Sequence, residues 1–123
     1  MVFQVRDVVI DGSVVGAVLA NGNQAGPTFN VDWTLANKQS IVLTGNVALT
    51  FTNPLNVSNL LLRVTQDPTG SRLLTFPASA KWPGGLAPTL STAPNAVDLI
   101  ALLWDGAAAS YYCAAQYAFA TAF

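Results

Sequence analysis

Short apolar runs alternate with clusters of Gly, Pro, Asn and Asp along the whole chain, at the spacing of an all-β domain. Val2–Ile10 is the first run, and Asp11-Gly12 turns it into Val14–Ala20. Asn21-Gly22-Asn23 and Gly26-Pro27 mark a loop before Phe29–Leu35, where Phe29, Val31 and Trp33 alternate with polar residues and predict one buried face. Ser40–Leu43 and Val47–Thr52 flank Thr44-Gly45-Asn46, a composition that predicts a tight hairpin. Asn53-Pro54 stops the second of these strands, because proline lacks a ladder donor and restricts its predecessor. Leu60–Gln66 is the next strand, and Asp67-Pro68-Thr69-Gly70 is a turn into Arg72–Phe76.

Prolines and glycines then make residues 77–95 a long irregular connection, of the kind that crosses between the sheets of a sandwich. Val97–Trp104 and Ser110–Phe119 form the closing pair around Asp105-Gly106. Val97–Trp104 is continuously apolar, so helix competes there, but its length favours a strand. A strand apolar on both faces is either central in its sheet or part of a subunit contact. The pattern as a whole predicts one antiparallel β-sandwich over residues 1–123, with 1–35 including an N-terminal arm and the first strands.

Composition adds an expectation of self-association. Hydrophobic residues make up 52% of the 123 and charged residues only 9%, so part of the apolar excess is expected in contacts with other chains. A net charge of −1 offers no basic footprint for nucleic acid and no polybasic face for a membrane, so neither is an expected partner. No run approaches the roughly 18 apolar residues of a membrane-spanning helix, and the start Met1–Asp7 has no basic segment leading into an apolar one, so a soluble chain outside the secretory route is expected. Cys113 is the only cysteine, expected as a small buried hydrophobe.

Catalytic chemistry is hard to assemble from these residues. Histidine is absent, which removes the usual base and the His-based triads and metal sites. The acids are Asp7, Asp11, Asp32, Asp67, Asp98 and Asp105. Asp11-Gly12, Asp67-Pro68 and Asp105-Gly106 are explained as turn residues. Asp98 precedes an apolar run and needs a partner if buried, with Arg63 or Arg72 the candidates. Trp82, in Lys81-Trp82-Pro83-Gly84-Gly85, is expected to cover the edge of the core, with a sugar-stacking platform as the alternative. The expectation is a protein that is not an enzyme and has no catalytic residue, no metal site and no cofactor.

Asn53-Pro54, Leu61 through Arg72 with its Asp67-Pro68-Thr69-Gly70 turn, Phe76-Pro77-Ala78, Lys81 through Gly85, and Asp98 through Trp104-Asp105-Gly106 together resemble a β-domain of bacteriophage virion proteins. The resemblance covers about residues 40–119 and spans tail-fibre-like proteins and small capsid-associated proteins. It implies a non-enzymatic, jelly-roll-like and commonly trimeric structural role. A fibre needs a shaft of coiled coil or β-repeat, and neither heptads nor repeats stand out, with Met1 taken as the natural start. The expected function is therefore capsid cement or decoration: a homotrimer at the capsid surface that binds the major capsid protein between capsomers. The alternative is a receptor-binding module of a tail fibre or tail spike. Val2, Phe3, Val5, Trp104, Tyr117, Phe119 and Phe123 are the candidate subunit or shell contacts.

Overall fold

The computed structural model describes residues 17–119. Nine strands occupy them: β1 (Leu19–Gln24), β2 (Thr28–Asp32), β3 (Lys38–Leu43), β4 (Val47–Thr52), β5 (Ser58–Gln66), β6 (Leu74–Thr75), β7 (Ala80–Lys81), β8 (Val97–Asp105) and β9 (Ser110–Phe119). A single 3-10 turn at Pro83–Gly85 is the one helical element among the described residues. The fold is all-β, and its sheets are mixed.

Odd-numbered strands of the first part join one sheet and even-numbered strands the other. One sheet runs β1-β3-β5-β8-β9-β7, and the other runs β2-β4-β6. β1, β3 and β5 are mutually parallel, as are β2, β4 and β6. The chain therefore winds as flat coils, β1–β2, β3–β4 and β5–β6, each crossing from one sheet to the other. From the first coil to the second the offset is 19 or 20 residues, with Gln24 opposite Leu43 and Thr28 opposite Ala48; from the second to the third it is 23 in the larger sheet and 27 in the smaller, with Lys38 opposite Leu61 and Val47 opposite Leu74. The corners stack as well, with the Thr44 N–H donating to the Gln24 carbonyl at 3.0 Å and the Asp67 N–H to that of Leu43 at 3.1 Å. The last coil meets an antiparallel pair, β5 with β8 and β8 with β9.

The expected antiparallel pairing is corrected accordingly for β1 to β6. Alternation reports that a segment is a strand with one buried face, but it is silent on which neighbour the strand pairs with. The expected hairpin at Thr44-Gly45-Asn46 is a corner between sheets, and β3 and β4 do not pair. Gly45 is not there for a positive φ. A Cβ at Gly45 would collide with the Ala25 carbonyl oxygen, and one at Gly26 with the carbonyl oxygen of Asn46. Two corners one coil apart pack backbone on backbone. These coils are also the internal repeat that the sequence conceals.

Side chains between the two sheets form the core. Val31, Val47 and Leu49 come from the three-stranded sheet, and Ile41, Leu43, Leu62, Val64, Ile100 and Leu102 from the other. An aromatic row adjoins it: Trp33 meets Phe51 edge-on at 5.9 Å, Phe51 meets Tyr111 at 4.9 Å, and Tyr111 meets Trp104 at 4.6 Å. Buried glutamines satisfy loop backbone at the strand ends. Gln39 Nε2 donates to the carbonyls of Asp32 and Ala36, while Gln66 Nε2 donates to those of Arg72 and Ser91.

Candidate functional site

The outer face of β5, β8 and β9 is where this chain presents apolar surface in an ordered grid. Strand pleating sends Asp98, Ile100, Leu102 and Trp104 inward, where all are buried, and leaves Leu99, Ala101 and Leu103 outward. β9 does the same with Tyr111 and Cys113 inward and Tyr112 and Ala114 outward. Pairing aligns these outward residues into rows across the sheet. Asn59, Leu103 and Tyr112 form one row, and Leu61, Ala101 and Ala114 form the next. Leu103 is 39% exposed and Tyr112 49% exposed, sizeable values for large hydrophobic residues on a regular sheet.

Two alanines side by side leave a hollow between larger neighbours. Trp82 and Pro83 stand beside it, and together they bound an open groove of about 790 Å³. Trp82 is half-buried and packs edge-on against Phe76 at 4.9 Å, so it covers the core edge as expected and lines the groove with what remains exposed. Asn59 and Lys81 supply polar side chains to this groove. Such a surface suits shape-complementary apolar contact.

β8 is central, between β5 and β9, which is one of the two readings of the doubly apolar Val97–Trp104 run, and its outer face is partly exposed. Tyr112 and Ala114 were not singled out in the sequence, because their surroundings depend on which strands flank β9. Of the candidate contacts, Trp104 is 7% exposed and packs against Tyr111 in the core. Tyr117 and Phe119 are nearly half exposed, on the terminal part of β9 and outside the groove. Val2, Phe3, Val5 and Phe123 lie outside the described residues.

The aspartates among the described residues all have structural partners. Asp98 is 2% exposed, and its carboxylate accepts from the Ser91 N–H at 2.6 Å and the Ala118 N–H at 2.8 Å. The expected arginine partner is corrected to two backbone amides. Arg72 pairs with Asp67 at 3.0 Å, and Arg63 faces outward, exposed, on β5. That guanidinium holds the Asp67 carboxyl below its usual range, and Asp67 also caps the Gly70 N–H. Asp105 and Asp32 likewise accept from the N–H groups of Ala107 and Thr34. Asp7 and Asp11 lie outside the described residues.

Cys113 is buried, and burial pushes its thiol up to about 11, so it is a neutral hydrophobe at ordinary pH, as expected. The Tyr111 phenol donates to Asn53 Oδ1 at 2.7 Å, and burial pushes it up to about 12. It too stays neutral.

A model of one protein family matches residues 27–109, about two-thirds of the chain; that family is described as "Putative phage tail fibre C-terminal domain". The match begins just before β2 and ends in the β8–β9 turn, taking in both complete parallel steps of the smaller sheet. No curated protein and no solved structure matches the chain. The chain belongs to this family of phage tail fibre C-terminal domains, and is a bacteriophage virion component.

Proposed function

We propose that this chain is a non-catalytic, receptor-binding module of a phage tail fibre, assembled from copies of itself through the apolar outer face of β5, β8 and β9. The observation that carries the reading is the family match over residues 27–109. The expectation of capsid cement rests on a sequence in which neither heptads nor repeats stand out to supply a fibre's shaft. The parallel coils of β1 to β6 are a repeat of strand that the sequence conceals, and the family match supports the fibre reading.

Self-association is supported by the grid of Ala101, Leu103, Tyr112 and Ala114 and by a sequence with only 9% charged residues. A homotrimer is the proposed state, with one closed symmetry axis placing the same face of every copy in contact. The cell-surface partner would then meet the surfaces this assembly leaves free.

Two measurements test the parts separately. In sedimentation velocity the native chain should run as a trimer and Leu103→Asp with Ala114→Glu as a folded monomer; an unchanged oligomer in that variant removes the proposed contact. Purified chain added to host cells before phage should slow adsorption, and undiminished adsorption at saturating protein contradicts receptor binding.

A further inference from the structure

Three cations frame the apolar grid on the outer face of the larger sheet. Lys38 stands opposite Leu61 and so ends the row of Leu61, Ala101 and Ala114 on the β3 side. Lys81 stands opposite Tyr112 and ends the row of Asn59, Leu103 and Tyr112 on the β7 side. Arg63 lies one row further along β5, opposite Leu99. All three point outward, because their strand neighbours Gln39, Leu62 and Ala80 are turned into the interior and buried.

Acid is scarce on this face. Among the described residues, Asp98 points inward, Asp67 is held by Arg72 in the one ion pair, and Asp32 ends β2 in the other sheet. Asp105 closes the outward row of β8, where its carboxylate accepts from the Ala107 N–H. Lys81 Nζ donates to the Ala78 carbonyl, which positions its charge without neutralising it. The face thus carries three cations and one acid, on a chain whose formal net charge is −1.

A ring of identical copies joins one flank of each face to the opposite flank of the next. Both flanks are cationic here, with Lys81 on one side and Lys38 and Arg63 on the other, so burying the grid brings like charges together. Like charges across an interface cost affinity, and dissolved anions relieve that cost by gathering between them. We infer that assembly through this face takes up small anions as it closes, so that salt switches trimer formation on by mass action. This holds only if the face is the self-contact proposed above. The dependence runs opposite to that of an interface built on opposite charges, which salt weakens.

Sedimentation equilibrium of the full chain at neutral pH tests it, in sodium chloride at about 10 and about 150 mM, where charges are screened beyond about 30 and about 8 Å. The trimer association constant should rise at least about tenfold from the lower salt to the higher. A variant combining Lys38→Gln, Arg63→Gln and Lys81→Gln should form trimer at the lower salt already and change by less than about twofold. Arg63→Gln alone should fall between that variant and the parent. An unchanged urea midpoint shows that each variant is folded. A parent trimer that salt leaves unchanged or weakens overturns the inference and leaves the contact face standing. Variants as salt-dependent as the parent overturn it too. A parent that stays monomeric at both salts removes the contact face itself, and the inference with it.

Discussion

Gly45 and Ala25 lie backbone against backbone, one coil apart: a Cβ on Gly45 would collide with the Ala25 carbonyl oxygen. The pair joins two sheets' worth of structure, because each residue sits where the chain leaves the larger sheet for the smaller one. Stability of the stack therefore depends on a residue with no side chain.

Gly45→Ala should destabilise the chain by about 2–3 kcal/mol, since the new methyl meets main chain that cannot rotate away. Gly106→Ala is the control. Its Cβ would stand an ordinary 3.5 Å from the Trp104 ring, and its cost should stay within about 0.5 kcal/mol. Urea unfolding of both variants measures the difference, and equal midpoints would refute the stacked corner.

Asp98 holds two distant segments with one carboxylate. Asp98→Asn turns an acceptor into a donor facing one of the N–H groups of Ser91 or Ala118, and should cost about 1–3 kcal/mol. Unfolding midpoints measure that loss. Faster amide exchange confined to Ser91 and Ala118 would identify its source, whereas a variant as stable as the parent would show that the two contacts contribute nothing.

Alkaline pH should weaken the fold before moderate acid does. Cys113 rises from 9.0 to about 11 and Tyr111 from 10.0 to about 12, both chiefly through burial. Groups raised in this way contribute stability that is complete below their unfolded values and is lost as pH climbs through the folded ones. The unfolded chain gives up these protons first, so the urea midpoint should fall between pH 9 and 12. Asp67 works in the opposite direction. Held low by Arg72, it contributes above about pH 3.8 and loses that contribution in stronger acid. Cys113→Ala should delay the alkaline fall to the Tyr111 range, and a midpoint flat from pH 8 to 11 in the parent would contradict the buried thiol.

Local features of this fold were legible in the sequence. Val31 and Trp33 are buried as their alternation requires, Asp67 to Gly70 form the expected turn, and β8 and β9 pair across Asp105-Gly106. Each of these depends on neighbours a few residues away. The direction of β3 and β4 was not legible, because a three-residue corner and a three-residue hairpin loop share the same composition of Thr, Gly and Asn. Only the spacing of Gly26 and Gly45, one coil apart, carries that signal, and a single pair of glycines does not announce a repeat. The partners of Asp98 were hidden for another reason. Both are backbone amides, and a backbone amide is present at every position except proline.

The outer face was legible in part. Val97–Trp104 is apolar on both sides, which pointed to either a central strand or a contact surface. Its floor of Ala101 and Ala114 was not legible, since that pairing exists only once β8 and β9 are in register.

The most direct test of the account is the number of copies of this chain per purified virion, measured by quantitative mass spectrometry against the major capsid protein. A tail-fibre module predicts a small multiple of three, far below the capsid protein. Copies in a simple stoichiometric ratio to the capsid protein would contradict the fibre assignment and return the chain to the shell.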